Sequence, residues 1–470
     1  MTNTHLELNE CLNALPQEWQ GELLPEIQRQ LLESNTKIAI LDDDPTGTQT
    51  IHNLPVLTTW DEQAFIDALK SDYPAFFVLT NSRSLDEQKA CHLAAEIGFN
   101  LNAASKKTGT QFITISRSDS TLRGHFPKEV DAFAESMGDT GLPYLIIPFF
   151  FEGGRYTVDD THYVHESGKL IPAAETIYAK DLSFGFQHSD LRNWVAEKTG
   201  ERVPYEHVTS IGLSDIRTGG PRRVCDLLMS VPNKSACVVN AASYRDMEVF
   251  VLGLLEAEKL GKRFLYRTAA SFVRVRTGVE PQKELLGKSE LISSTSSGGL
   301  FIVGSHVTKT TSQLSILLDE TDINPVEINV AKLLNKLERD AELNRVIEAV
   351  NQALQQSMDT VIFTSRELVG GRNAEDSLRI SQRVSAGLIQ IVEKLKYQPR
   401  YLVAKGGITS SDIATLGLKV KKALVLGQVL PGVPVWQLGE ETKYPGKAYI
   451  IFPGNVGEDS ALKTIKKKLE

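Results

Sequence analysis

The chain has 470 residues, 41% of them hydrophobic and 23% charged; at about 150 residues per domain, that length predicts roughly two to four domains and excludes a single small core. The composition is that of an ordinary globular protein and excludes a disordered or membrane-embedded chain. A formal net charge of −8 makes no electrostatic case for nucleic acid or an anionic membrane as a partner, although a local basic pocket would still take a small anion.

Residues 1–35 read as a helical N-terminal extension. Leu12, Leu15, Trp19, Leu23, Leu24, Ile27 and Leu31 recur at helical spacing, interrupted at Pro16 and Pro25. The extension is expected to pack against a domain or against another subunit of a homo-oligomer. It lacks a basic start followed by an apolar core, so no secretory leader is expected. No apolar run approaches the roughly 20 residues that span a bilayer. Cys11, Cys91, Cys225 and Cys237 are dispersed without metal-site or redox spacing, which suits reduced thiols in the cytoplasm.

From 36 to 290, short apolar runs alternate with amphipathic stretches. KIAIL, AFFVLT, QFITIS and YLIIP have strand character, and DEQAFIDALK, LDEQKACHLAAEIGFNLNAASKK and PKEVDAFAESMG read as helices between them. This is the rhythm of a parallel sheet flanked by helices. In such sheets ligands gather beyond the carboxyl ends of the strands. LDDDPTG, LTNSRS and ISRSDSTLRG stand at those ends and are expected to converge on one crevice.

Each stretch has a plain and a sharper reading. In LDDDPTG, repulsion among Asp42, Asp43 and Asp44 asks for a cation, a helix end or a substrate, yet Asp, Pro, Thr and Gly are ordinary turn residues. ISRSDSTLRGHFPKE sets Arg117 and Arg123 around Ser118, Asp119, Ser120 and Thr121. Guanidinium forks with hydroxyls and a carboxylate suit a small acidic sugar, but a helix cap with surface ion pairs accounts for the stretch equally well. LTNSRS adds Arg83. FFEGGRYTVDDTHYV, with Arg155, Asp159, Asp160 and His162, reads as a rim or hinge segment in which His162 is structural, and no metal-ligand set is assigned anywhere in the chain.

A second stretch runs from ACVVN at 236 through FLYRTAASF at 264, and residues 291–299, with ISSTSSGG, read as a linker. From 300 to 470 the α/β rhythm resumes. LFIVGSHVTKTTSQL, YLVAKGGITSSDIATL and AYIIFPGNVGEDSAL each place a glycine turn between a strand and a helix beginning among Ser, Thr, Asp or Glu. Close backbone approach and exposed helix-start N–H groups make such turns a cradle for nucleotide phosphates, although each alone is also the common way to leave a strand. Neither the standard P-loop nor the two-glycine dinucleotide fingerprint is present.

DDPTG at 43–47, SRSDSTLRG at 116–124, GGRYT at 153–157, RTAASF at 267–272, VGS at 303–305, GGIT at 406–409 and PGNVG at 453–457 together resemble the four-carbon acid sugar kinases, the family of D-threonate kinase and 3-oxo-tetronate kinase, from about residue 36 to the C-terminus. The resemblance implies an ATP-dependent kinase of two α/β domains, 36–290 holding the sugar acid and 300–470 holding ATP. By position it implies sugar contacts from Asp43, Asp44, Arg83, Arg117, Ser118, Asp119, Ser120 and Arg123. It likewise implies ATP contacts from Ser305, Gly406, Gly407, Ile408, Thr409, Gly454 and Asn455. Asp44 or Asp119 would accept the hydroxyl proton, Arg83 and Arg117 would hold the carboxylate, and Mg²⁺ would bridge the ATP phosphates with few protein ligands of its own. Closure about the 292–299 linker would exclude water. Two departures fall on the sugar side: Asp42 and Pro45 stand in variable places of the opening motif, and Ser116 or Arg117 stands where the family often has Lys. A rival is a haloacid-dehalogenase-like phosphatase with Asp42 as nucleophile and Asp44 as acid/base, although no later Lys and acidic pair completes it; a catalytically silent nucleotide-dependent binding module comes third.

Overall fold

The computed structural model describes residues 6–292, 297–304, 307–366, 374–454 and 456–470. The chain divides into two compact units: residues 1–50 with 59–281, and 51–58 with 282–470.

The first unit is built on a seven-stranded parallel sheet in the order Val208–Ile211, Ala236–Val239, Tyr144–Ile147, Leu265–Thr268, Phe112–Arg117, Lys37–Asp42, Ala75–Leu79. Helices on both faces require strands that are apolar on both sides, and every side chain of Ala75–Leu79 is buried. The connecting helices start where their caps dictate: the Asp61 carboxylate accepts from Ala64 N, and that of Asp86 from Lys89 N. Leu79, Asp42, Arg117 and Thr268 are level across four adjacent strands, so the polar residues that follow them emerge at one edge. A small antiparallel sheet joins Leu6–Glu7, Lys169–Pro172, Thr161–Glu166 and Arg155–Val158; its last two strands begin in the segment read as a rim, and its first belongs to the extension expected to be helical.

The N-terminal extension packs on this same unit. It forms helices Leu8–Ala14 and Leu24–Ser34 rather than one run, the stretch around Pro16 being extended or irregular. Gln28 Nε2 donates to Gly278 O at 2.9 Å, and Arg217 Nη1 donates to Pro16 O at 2.8 Å.

In the second unit, Ala448–Phe452, Leu402–Lys405, Leu300–Val303, Thr360–Thr364 and Asn324–Ile328 run parallel in that order. Val433–Leu438, Lys422–Leu430 and Pro55–Leu57 continue the sheet antiparallel beyond Ala448–Phe452. One core cluster of this unit includes Phe301, Val403, Ile450, Phe452 and Leu462. Of the linker stretch, residues 293–296 lie outside the described residues. No helix among the described residues is long and apolar enough to cross a membrane.

Candidate active site

At the carboxyl edge of the first unit's sheet, the three strand-end stretches meet. Arg83, on the turn after Ala75–Leu79, forms ion pairs with Asp44 Oδ2 and, at 3.1 Å, with Asp119 Oδ1. Asp44 also accepts from Thr46 N at 2.8 Å and Thr46 Oγ1 at 2.5 Å. Asp119 is held on its other oxygen by Arg123 Nε at 2.8 Å and by the Thr121 hydroxyl. One guanidinium thus joins two carboxylates that are distant in sequence, the geometry a planar fork permits.

The three consecutive aspartates have different surroundings. Asp42 points back into the turn: its Oδ1 lies 3.3 Å from Arg117 Nη1, and a Cβ added to Gly47 would sit 1.9 Å from its Oδ2, so only glycine fits there. Burial pushes the Asp42 carboxyl up to about 8 against the pull of Arg117. Asp43 is buried, with both oxygens free of hydrogen bonds; Arg117 and Arg83 stand 3.8 and 3.9 Å from its Oδ1. Burial raises its pKa as well. Asp44 is the most open of the three, its side chain 21% exposed. Burial opposes its charge, but Arg83 and the Thr46 bonds prevail and hold it below the usual carboxylate range. Asp119 is likewise drawn well down, Arg83 and Arg123 overcoming burial.

Ser82, Ser118 and Ser120 line the same edge and are all buried. Ser116 Oγ and Ser118 Oγ are 3.2 Å apart. Two buried residues support this edge, of which Arg267 was not assigned from sequence. Arg267, wholly buried in Leu265–Thr268, donates to Asp119 O at 2.8 Å and Arg123 O at 3.1 Å, fixing the loop from below. His162, read as structural, is held between Thr157 Oγ1 at 2.9 Å and Ser120 O at 2.7 Å. Burial lowers its pKa to about 3 and keeps it neutral. The signal for Arg267 was a basic residue inside an apolar strand.

In the second unit, Val303, Lys405 and Phe452 are level on adjacent strands, so the three glycine turns leave the sheet side by side. Gly406, at φ +113°, turns the chain into the helix Gly407–Asp412 and donates its N–H to Phe452 O at 2.8 Å. A Cβ on Gly304 would lie 2.6 Å from Thr409 Oγ1. Lys405 is fully buried; its ammonium donates to Pro453 O at 2.7 Å and Gly454 O at 3.1 Å. Burial lowers its pKa to about 7. Gly407 and Ile408 open the helix Gly407–Asp412, Ile408 with an exposed side chain, and Gly454 follows Pro453 in the turn that Lys405 holds; Ser305 and Asn455 lie outside the described residues. Among the described residues no group of three His, Cys, Asp or Glu side chains could hold a metal ion.

Comparisons with known proteins agree with this two-part layout. Residues 38–276 match a sugar-binding N-terminal domain and 300–462 a nucleotide-binding C-terminal domain. The chain belongs to the four-carbon acid sugar kinase family. It is 22% identical over 371 residues to the D-erythronate kinase of Heliobacterium modesticaldum, covering 76% of each chain. Its fold is that of a solved Haemophilus influenzae protein, at TM-score 0.64 and 16% identity over 92% of this chain and all of that one. A Salmonella typhimurium LT2 protein provisionally described as a tRNA synthase has the same fold, at TM-score 0.66 and 16% identity, again over 92% of this chain and all of that one.

Proposed function

We propose that this protein is a cytoplasmic kinase that transfers the γ-phosphoryl group of ATP to a hydroxyl of a four-carbon sugar acid, with D-erythronate the first candidate from its relative's name. The observation that carries the reading is Arg83 joined to Asp44 and Asp119 at the strand ends of the part that matches a sugar-binding domain. Four free cysteines support a reducing compartment.

The charge balance of the edge favours an acidic substrate. Arg83, Arg117, Arg123 and Arg267 stand against Asp42, Asp43, Asp44 and Asp119. Burial keeps Asp42 protonated at neutral pH and raises the pKa of Asp43, so the four guanidinium groups outnumber the ionised carboxylates and leave positive charge in excess for a carboxylate substrate. Arg117 and Arg83 hold that carboxylate, while Ser118, Ser120 and Arg123 bind the remaining oxygens. Asp44, the most open of the aspartates, orients the acceptor hydroxyl and takes its proton; Asp119 keeps Arg83 in place. Since phosphoryl transfer is catalysed chiefly by positioning and charge neutralisation, a weakly basic carboxylate suffices.

In the second unit, the backbone of Gly406, Gly407, Ile408, Thr409 and Gly454 cradles the ATP phosphates, with Ser305 and Asn455 completing the set. Magnesium would arrive with ATP and would neutralise phosphate charge there, with few protein ligands of its own. Asp42, protonated and turned into the Gly47 turn, is a poor nucleophile, which disfavours the phosphatase alternative.

The test is a screen of D-erythronate, D-threonate and related sugar acids for ATP consumption with magnesium, beside an ATP-only control. Acid-dependent ADP formation is expected. Phosphate released from phosphomonoesters without ATP would replace this reading by the phosphatase, and ATP binding with no product across the panel would replace it by a silent binding module.

A further inference from the structure

Backbone pairing in the first unit's sheet is interrupted at one place. Leu265–Thr268 pairs with Tyr144–Ile147 along its whole length, but with Phe112–Arg117 only through Arg267–Ser116 and Thr268–Arg117. Toward their amino ends the two strands share no further rungs. A cavity of about 600 Å³ opens there, lined by both strands, by the helices Lys128–Met137 and Tyr244–Lys259, and by Gln30 and Ser34 of the N-terminal extension. That volume lies within the range of ligand pockets, roughly 300–1,000 Å³.

The lining is amphipathic and its polar groups are incompletely used. Apolar surface comes from Phe112, Ile113, Phe133 and Leu265. Arg276, with 3% of its surface exposed, donates from Nη2 to Glu258 Oε2 at 2.7 Å, yet its Nε and Nη1 have no hydrogen-bond partner. Thr114 Oγ1 and Gln30 Oε1, on the other walls, are also buried without one. Leaving such groups unpaired costs free energy unless something else satisfies them. The Tyr266 hydroxyl donates to the other oxygen of Glu258, so both oxygens of that carboxylate are already engaged. The unmet demand is therefore mainly for an acceptor opposite Arg276.

We propose that this wedge is a second ligand site, separate from the strand-end aspartates, for a small amphipathic carboxylate. The acid group meets Arg276 and Thr114, and the hydrocarbon part lies against Phe112, Phe133 and Leu265. The far wall reaches Ser116 and Glu129, and the Glu129 carboxyl lies close to Ser82 beside Arg83, so the occupant touches the scaffold of the catalytic edge from behind.

The full-length protein is titrated by calorimetry with straight-chain carboxylates of four to ten carbons and with the corresponding amides, in the presence and absence of saturating D-erythronate. Expected are one saturable site for at least one acid, at least tenfold weaker binding of its amide, no competition by D-erythronate, and slower amide hydrogen exchange in 112–116 and 264–266. Thr114→Leu, which fills the wedge without removing a paired group, is expected to abolish binding with Tm unchanged, and Arg276→Gln to weaken it at least tenfold. The proposal is overturned by absence of saturable binding across the panel, by equal affinity for acid and amide, by displacement with D-erythronate, or by undiminished binding to a folded Thr114→Leu variant.

Discussion

Arg83 bridges Asp44 and Asp119, residues that come from two different strand ends of one parallel sheet. The link makes the geometry of the proposed acceptor site depend on a single side chain that is only 16% exposed.

Arg83→Lys keeps the charge but cannot span both carboxylates in the plane of one fork. Sugar-acid-dependent kcat/KM is expected to fall by about 10²-fold or more, while ATP affinity measured by calorimetry stays within twofold. Unchanged kcat/KM would remove Arg83 from the site.

Asp44→Asn is expected to lower kcat on the order of 10²–10⁴-fold, with ATP binding retained, since the amide still accepts from Thr46 but cannot take a proton. Asp42→Asn is expected to be far milder. Steady-state kinetics on the two variants separate the kinase from the phosphatase reading, which requires the opposite order.

The contribution of Asp42 to stability should fall as pH rises. The buried Asp42 carboxyl, pushed up to about 8 in the folded chain, ionises near its ordinary value of about 4 once unfolded. Between those values the native state binds the extra proton, so the stability it confers is complete below about pH 4 and is lost progressively toward pH 8. In thermal melts from pH 5 to 8.5, the Tm of the parent protein relative to that of Asp42→Asn is expected to decline as pH rises; a difference that does not change with pH would remove Asp42 as the titrating group.

Gly47→Ala places a methyl group against the Asp42 carboxylate, where the unaltered backbone would bring it within 1.9 Å. Overpacking of this kind costs about 1–3 kcal/mol, and the displaced Asp42 should disturb the neighbouring Asp43 and Asp44. A lowered Tm together with reduced turnover is expected; loss of neither would mean that the turn yields easily.

Lys405→Met removes the ammonium that ties the Pro453–Gly454 turn to the strand before Gly406. KM for ATP is expected to rise about tenfold with KM for the sugar acid unchanged, because the change reshapes one phosphate turn and leaves the first unit untouched.

The convergence of LDDDPTG, LTNSRS and ISRSDSTLRG was legible because strands of a parallel sheet share one carboxyl edge, and their order needs no side-chain detail. The division of labour within Asp42, Asp43 and Asp44 was not, because it depends on which carboxylate turns toward Gly47 and which toward Arg83. Arg267 and Lys405 stood in plain view as basic residues in the otherwise apolar runs LYRT and LVAK. Such a residue in a buried strand must find acceptors, and both find the backbone carbonyls of loops at the proposed sites. The small antiparallel sheet around His162 was hidden by its Gly- and Asp-rich turns, and the wedge beside Thr114 by strand register, which composition does not encode.

The strand Pro55–Leu57 belongs to the second unit although the residues on either side belong to the first. The polypeptide therefore passes from one unit to the other three times, and a cut at 281/282 does not separate two self-sufficient proteins. The carboxy-terminal fragment would lack its outermost strand and expose the edge of Lys422–Leu430 as a template for foreign strands. Gene fission or fragment expression at that point should accordingly favour aggregation or mutual complementation of the halves over independent folding.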